Sequence, residues 1–179
     1  DDEICRWSID DVDDRLDCWD DDDGLPPAGS GIWYDGLRFI GQNKLLVMTN
    51  NGAAVFDTSS LSVTDSWIPS GGANSAPVVQ WDGIVYLGLD GAGIARYDSL
   101  NDQWLTTWDN ASNMLPDDDD GVLELALDES RQMLWAGGAF GLAQIDLQTD
   151  MLADDISQST NGLNGNSPQK LLIHNDILY

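Results

Sequence analysis

Apolar and polar positions alternate over short stretches of this chain, and the stretches repeat. The clearest runs Leu134-Trp135-Ala136-Gly137-Gly138-Ala139-Phe140-Gly141-Leu142-Ala143-Gln144-Ile145-Asp146. It is an apolar run, a glycine-bearing turn and an alternating run closed by an aspartate. The same shape recurs at Val85-Tyr86-Leu87-Gly88-Leu89-Asp90-Gly91-Ala92-Gly93-Ile94-Ala95-Arg96-Tyr97-Asp98, and more loosely from Leu45 to Asp57 through Asn51-Gly52 and Val55-Phe56-Asp57. Two antiparallel strands joined by a tight turn require this pattern. The closing aspartates, Asp57, Asp98 and Asp146, lie 41 and 48 residues apart, a spacing typical of a repeat architecture. After each hairpin comes a polar turn and a further short strand, holding Trp67, Trp104 and Trp108, or Met151 to Ile156. Before each comes another apolar run: Leu37 to Ile40, Val78 to Trp81, Val122 to Leu127, and Leu171 to His174. Four short antiparallel strands per unit, without a helical period, predict an all-β fold of β-propeller blades.

The ends fit the same template. Cys5-Arg6-Trp7 matches Ala95-Arg96-Tyr97, Trp19-Asp20 matches Trp108-Asp109, and Leu25-Pro26 matches Leu115-Pro116, while Ile177-Leu178-Tyr179 matches Ile84-Val85-Tyr86. The expected organisation is a half-blade over 1–26, blades over 36–75, 76–121 and 122–167, and a half-blade over 168–179. Two architectures follow: a ring of about four blades sealed by one split blade, or a fragment of a larger propeller. The second is favoured, because four blades is at the small end for this fold and a terminus inside an apolar strand leaves an unpaired edge. A start at Asp1 without methionine suits a processed chain or a piece of a longer one.

At Leu115-Pro116, Val122, Leu125-Ala126-Leu127-Asp128, Leu134-Trp135-Ala136-Gly137 and Gly141-Leu142 the chain resembles the two-component regulator propeller repeat. The resemblance implies a propeller that commonly forms the extracytoplasmic sensing part of bacterial regulators. It transfers no catalytic residues. Asp117 to Asp120 depart from the pattern, which has a short polar turn there.

Charge sharpens the picture. Among 179 residues there are 32 acids and 7 Lys plus Arg, a net charge of -25. Only Glu3, Glu124 and Glu129 are glutamates, which leaves 29 aspartates. Such a field excludes nucleic acid and anionic membranes as partners and favours cations, basic partners or neutral ligands. A hydrophobic content of 42% with eight tryptophans argues against a disordered polyanion. No stretch approaches the roughly 18 consecutive apolar residues of a membrane-inserted span. The partners expected are a carbohydrate, peptide or protein ligand, further propeller domains of the same chain, or a second copy.

Cys5 and Cys18 flank a turn centred near Asp11 and Val12, which sets them opposite each other and predicts a disulfide formed in an oxidising compartment. Asn110-Ala111-Ser112 is a glycosylation sequon. Asp20, Asp21, Asp22 and Asp23 before Gly24, and Asp117, Asp118, Asp119 and Asp120 before Gly121, occupy corresponding loops. They are candidate calcium ligands, with Ca2+ the one cofactor considered. The strict Asp-x-Asp-x-Asp-Gly spacing fails at Trp19 and Pro116, so solvated charge is the competing account. Trp33 and Tyr34, in a glycine-flanked connection, and Trp81, at a hairpin tip, are candidate ligand-stacking residues. Trp7, Tyr86, Tyr97, Trp104, Trp108 and Trp135 sit at repeating strand positions that predict packing. His174, the only histidine, is expected in a core strand, and with two cysteines no zinc set exists. The glycines from Gly88 to Gly93 imitate a dinucleotide loop without the helix a phosphate needs. No catalytic residues are assigned. The sequence therefore predicts a non-enzymatic extracellular, cell-surface or periplasmic binding module. The alternatives are a self-assembling surface or filament protein and a polysaccharide-acting propeller hydrolase or lyase.

Overall fold

The computed structural model describes residues 3–11, 13–27, 32–68, 74–116, 121–156, 168 and 170–179, with only the backbone of residues 32–35 and 74–76. Contacts divide the chain into two compact units, Asp1–Asn74 and Ser75–Tyr179.

The first unit opens with a hairpin of β1 (Ile4–Trp7) and β2 (Arg15–Trp19), followed by a single 3-10 turn, Asp21–Asp23. An antiparallel sheet follows, in the order β3 (Ile32–Phe39), β4 (Lys44–Thr49), β5 (Gly52–Asp57) and β6 (Ser62–Trp67). Its core forms where the hairpin meets the sheet: Ile4 and Leu25 bury against Val47, Ala54 and Phe56, with Trp19, Leu45, Leu61 and Val63 around them. The Trp19 ring meets Phe56 edge-on at 4.7 Å, and its indole N–H donates to the Leu61 carbonyl at 3.1 Å. That bond satisfies the one polar atom the tryptophan carries into the core.

The second unit holds two four-stranded sheets in sequence order. One comprises β7 (Asn74–Trp81), β8 (Ile84–Asp90), β9 (Gly93–Asp98) and β10 (Gln103–Trp108). The other comprises β11 (Val122–Asp128), β12 (Met133–Gly138), β13 (Gly141–Asp146) and β14 (Met151–Ile156). A short hairpin of β15 (Ile173–His174) and β16 (Ile177–Leu178) follows. Successive side chains point to opposite faces of a strand, so a sheet apolar on both faces must be covered twice. Leu134, Ala136, Ala143 and Ile145 join a core with Tyr86, Ile94 and Trp108 of the preceding sheet. From the opposite face, Trp135 and Leu142 join Ala126, Leu171, Ile156, Ile173 and Leu178. The sheet is thus sandwiched between neighbours, and each fully buried aliphatic side chain contributes roughly 1.5–3 kcal/mol.

The closing aspartates bond the turns that follow them. The Asp57 carboxylate accepts from the backbone N–H groups of Ser59 and Ser60 at 2.7 and 2.8 Å. Asp98 accepts from Leu100 and Asn101 at 2.9 and 3.0 Å, and Asp146 from Gln148 and Thr149 at 2.8 and 3.3 Å. Four residues after each aspartate stands a left-handed residue: Leu61, Asp102 and Asp150, with φ of 57°, 54° and 52°. The β11–β12 turn repeats this arrangement with Asp128 and Gln132.

Three local expectations are corrected. Trp33 and Tyr34 lie within β3 rather than in a connection, although pairing breaks around them: β3 advances from Ile32 to Leu37 while β4 advances only from Thr49 to Val47. Trp7, expected in packing, is 50% exposed at the end of β1, where the β1–β2 register shifts. His174, expected in a core strand, is exposed on β15, with its Nε2 3.0 Å from Asn175 Nδ2.

Candidate functional site

The Cys5–Cys18 disulfide is present. The β1–β2 register pairs the two residues directly across the hairpin, so symmetric placement about the turn was sufficient to identify it. Glu3 brings a carboxylate within 4.8 Å of both sulfurs. Because the sulfurs bond each other, neither is a thiolate available to a metal.

Asp20 to Asp23 form a capping box. The Asp20 carboxylate accepts from the Asp22 N–H at 2.9 Å, the Asp23 carboxylate reaches back to the Asp20 N–H at 3.3 Å, and Gly24 closes the turn at φ 99°. Two of the four carboxylates are therefore already engaged with backbone. Asp117 to Asp120 lie outside the described residues, as do the side chains of Trp33 and Tyr34. Asn110 is part-buried, and its side-chain nitrogen, the atom a glycan would be attached to, donates to the carbonyls of Leu115 and Pro116 at 3.4 and 3.1 Å. Trp81 ends β7 before a two-residue turn in which Asp82 and Gly83 both have positive φ, 47° and 81°, the geometry that matches hairpin twist. Its ring packs against the core containing Tyr86 and Trp108, so Trp81 is a partly covered packing residue.

A cleft of about 200 Å³ opens elsewhere, between the β11–β14 sheet and the β15–β16 hairpin. Trp135 of β12 and Gln144 of β13 are cross-strand partners and form one wall. Ile173 and Leu178, likewise partners, form the other. Asp128, Arg131 and Asp176 line the rest. The Arg131 guanidinium donates to Asp128 at 2.6 Å and pairs with Asp176 at 3.3 Å, linking the β11–β12 turn to the β15–β16 turn. Asp128 is only 6% exposed. The Ser130 hydroxyl, then the Arg131 side chain, hold its carboxyl below the usual carboxylate range, and the hydrogen bond that Arg131 donates to Asp128 in turn raises Arg131. Among the described residues the Gln144 amide makes no side-chain hydrogen bond, so the cleft presents an indole, a free amide and charges of both signs. Such groups can orient a small polar ligand.

Sequence reasoning assigned none of Asp128, Arg131, Gln144 or Asp176 to a site. One signal was available: in the repeat, Gln144 takes the place that Arg96 holds in the preceding unit.

No protein-family model and no curated protein matches the chain. Solved structures do. The extracellular domain of BT4673 from B. thetaiotaomicron, described as a one-component system, superposes with a TM-score of 0.68 at 18% identity, over 97% of this chain. A second structure of that extracellular domain, described as a hybrid two-component system, gives a TM-score of 0.61 at 17% identity over 96% of this chain. This chain spans only 23% and 22% of those two. The computationally designed Ika4 protein gives a TM-score of 0.61 at 17% identity, with 87% of each chain covered. At these identities the likeness is one of fold. No helix among the described residues is long and apolar enough to cross a membrane.

Proposed function

We propose that this chain is an extracytoplasmic binding module of β-propeller build, holding a small soluble ligand rather than transforming it. The likeness to an extracellular domain over 97% of the chain carries the proposal. The disulfide supports an oxidising compartment, since such bonds persist where thiols are not kept reduced. Stacking of a two-sided sheet between neighbours supports the propeller, because repeated sheets bury their faces that way about a common axis. The cleft beside Trp135 supplies the site, and carbohydrate, peptide and small cationic ligands are all within its chemistry.

The test is thermal melting of the oxidised chain against a panel of oligosaccharides, peptides and organic cations, with each compound recovered and analysed afterwards. A binding module gives saturable stabilisation and intact compounds. Cleaved or eliminated products would replace this reading with that of a polysaccharide hydrolase or lyase. Self-assembly is a second reading, favoured by Leu37 and Phe39, 53% and 64% exposed at alternate positions of β3. Sedimentation showing a concentration-dependent oligomer that Phe39→Lys disperses would support it.

A further inference from the structure

The two sheets of the second unit carry the same position in two chemical versions. In the β8–β9 ladder the third pair is Tyr86 with Arg96, and in the β12–β13 ladder the third pair is Trp135 with Gln144. The Arg96 guanidinium lies 4.1 Å from the centroid of the Trp108 ring. It donates to the Thr106 carbonyl at 3.0 Å and pairs with Asp150 at 3.3 Å, and its side chain is only 13% exposed. A planar cation thus fills this place in the first sheet, held between an indole and a carboxylate. In the second sheet Gln144 is shorter and uncharged, and the 200 Å³ cleft opens beside it. An indole and a carboxylate border this space too, from other positions: Trp135 stands where Tyr86 does in the first sheet, and Asp176 comes from the β15–β16 turn. Asp176 is 71% exposed at its side chain and meets Arg131 through one oxygen, which leaves the other available. Two carboxylates against one guanidinium give the cleft a net negative charge, and the -25 of the chain concentrates cations around it.

We propose that this cleft binds a small organic cation, a guanidinium or primary ammonium on a short aliphatic stem, in the place that Arg96 fills from within in the neighbouring sheet. Trp135 supplies the cation–π face, the Asp176 carboxylate the counter-charge, and the Gln144 carbonyl a hydrogen-bond acceptor. Ile173 and Leu178 cover the stem. The proposal rests on the binding-module reading and adds to it the ligand class.

Calorimetric titration of the full oxidised chain with butylguanidine, with methyl glucoside as the neutral probe, tests it. Butylguanidine should bind saturably at concentrations up to about 50 mM, as suits a fragment of its size, and less tightly as sodium chloride rises. Gln144→Arg should abolish binding by supplying the guanidinium internally. Asp176→Asn, which removes the counter-charge and its pair with Arg131, should weaken it about tenfold, with an unchanged melting temperature as the check on the fold. Asp22→Asn, an equal charge change at an exposed position of the first unit, should leave it unchanged. Absence of butylguanidine binding, or equal binding by the wild type, Gln144→Arg and Asp176→Asn, overturns the proposal. Binding of methyl glucoside that Gln144→Arg removes, without any of butylguanidine, also overturns the cation while keeping the module. A panel without any ligand would sink the module itself.

Discussion

At the scale of single residues, the aspartates divide by what they accept. Some of those described pair with cations, as Asp17 does with Arg6 and Asp150 with Arg96, whereas Asp57, Asp98, Asp128 and Asp146 end strands and bond the N–H groups of the turns after them. A carboxylate is a better acceptor than a carboxylic acid, so these bonds favour ionisation. The Ser59 hydroxyl, followed by the N–H groups of Ser60 and Ser59, lowers Asp57 from 3.8 to about 2. Asp146 is lowered too, chiefly by the Gln148 N–H. With a folded value below the unfolded one, the stabilisation is fully present above about pH 4 and is lost as pH falls toward 2. Asp57→Asn should therefore be less stable than the wild type by a constant margin above that window, and the margin should shrink inside it. Melting curves at stepped pH measure this, and a margin unchanged down to pH 2 would refute it. Tyr86 shifts the other way: burial, reinforced by Asp150, pushes its phenol up to about 12.

At the scale of elements, the hairpins were the most legible feature, because alternation, glycine-bearing turns and closing aspartates all act within a dozen residues. Trp33 and Tyr34 were harder to place, since glycines on both sides resemble a connection and only the irregular pairing with β4 keeps them in a strand. Trp7 matched a packing position in the repeat yet is half exposed, since a template carries side-chain direction and not the degree of cover. The β8–β9 turn shows how two glycines with the same backbone differ in consequence. Gly91 and Gly93 both have φ of 83°. A methyl group on Gly91 meets nothing within 4 Å, whereas one on Gly93 runs into the Trp108 carbonyl and lies 3.2 Å from the Asp109 Cα. Gly91→Ala should cost only the strain of a left-handed alanine, about 1–2 kcal/mol. Gly93→Ala should cost roughly 2 kcal/mol more, since backbone must move to admit the methyl. Urea denaturation of the two variants compares them, and equal losses would contradict the backbone clash.

At the scale of the whole molecule, the sequence showed repeated sheets but not the cleft they leave. Asp128, Arg131, Gln144 and Asp176 come from separate turns and strands, and only the stacking of a sheet against the next hairpin brings them to one opening. Charge was fully legible, and its effect is collective. At -25 the carboxylates repel one another over distances that about 0.1 M salt screens to roughly 10 Å, so sodium chloride should raise the melting temperature. Calcium at matched ionic strength separates screening from a specific site. The Asp20 and Asp23 carboxylates are engaged in their capping box, and calcium takes six to eight oxygens. The Asp20–Asp23 turn should therefore give calcium no advantage over sodium at equal ionic strength, and Asp21→Asn with Asp22→Asn should respond to both salts as the wild type does. A calcium-specific rise of several degrees that this double variant abolishes would instead make the turn a metal site.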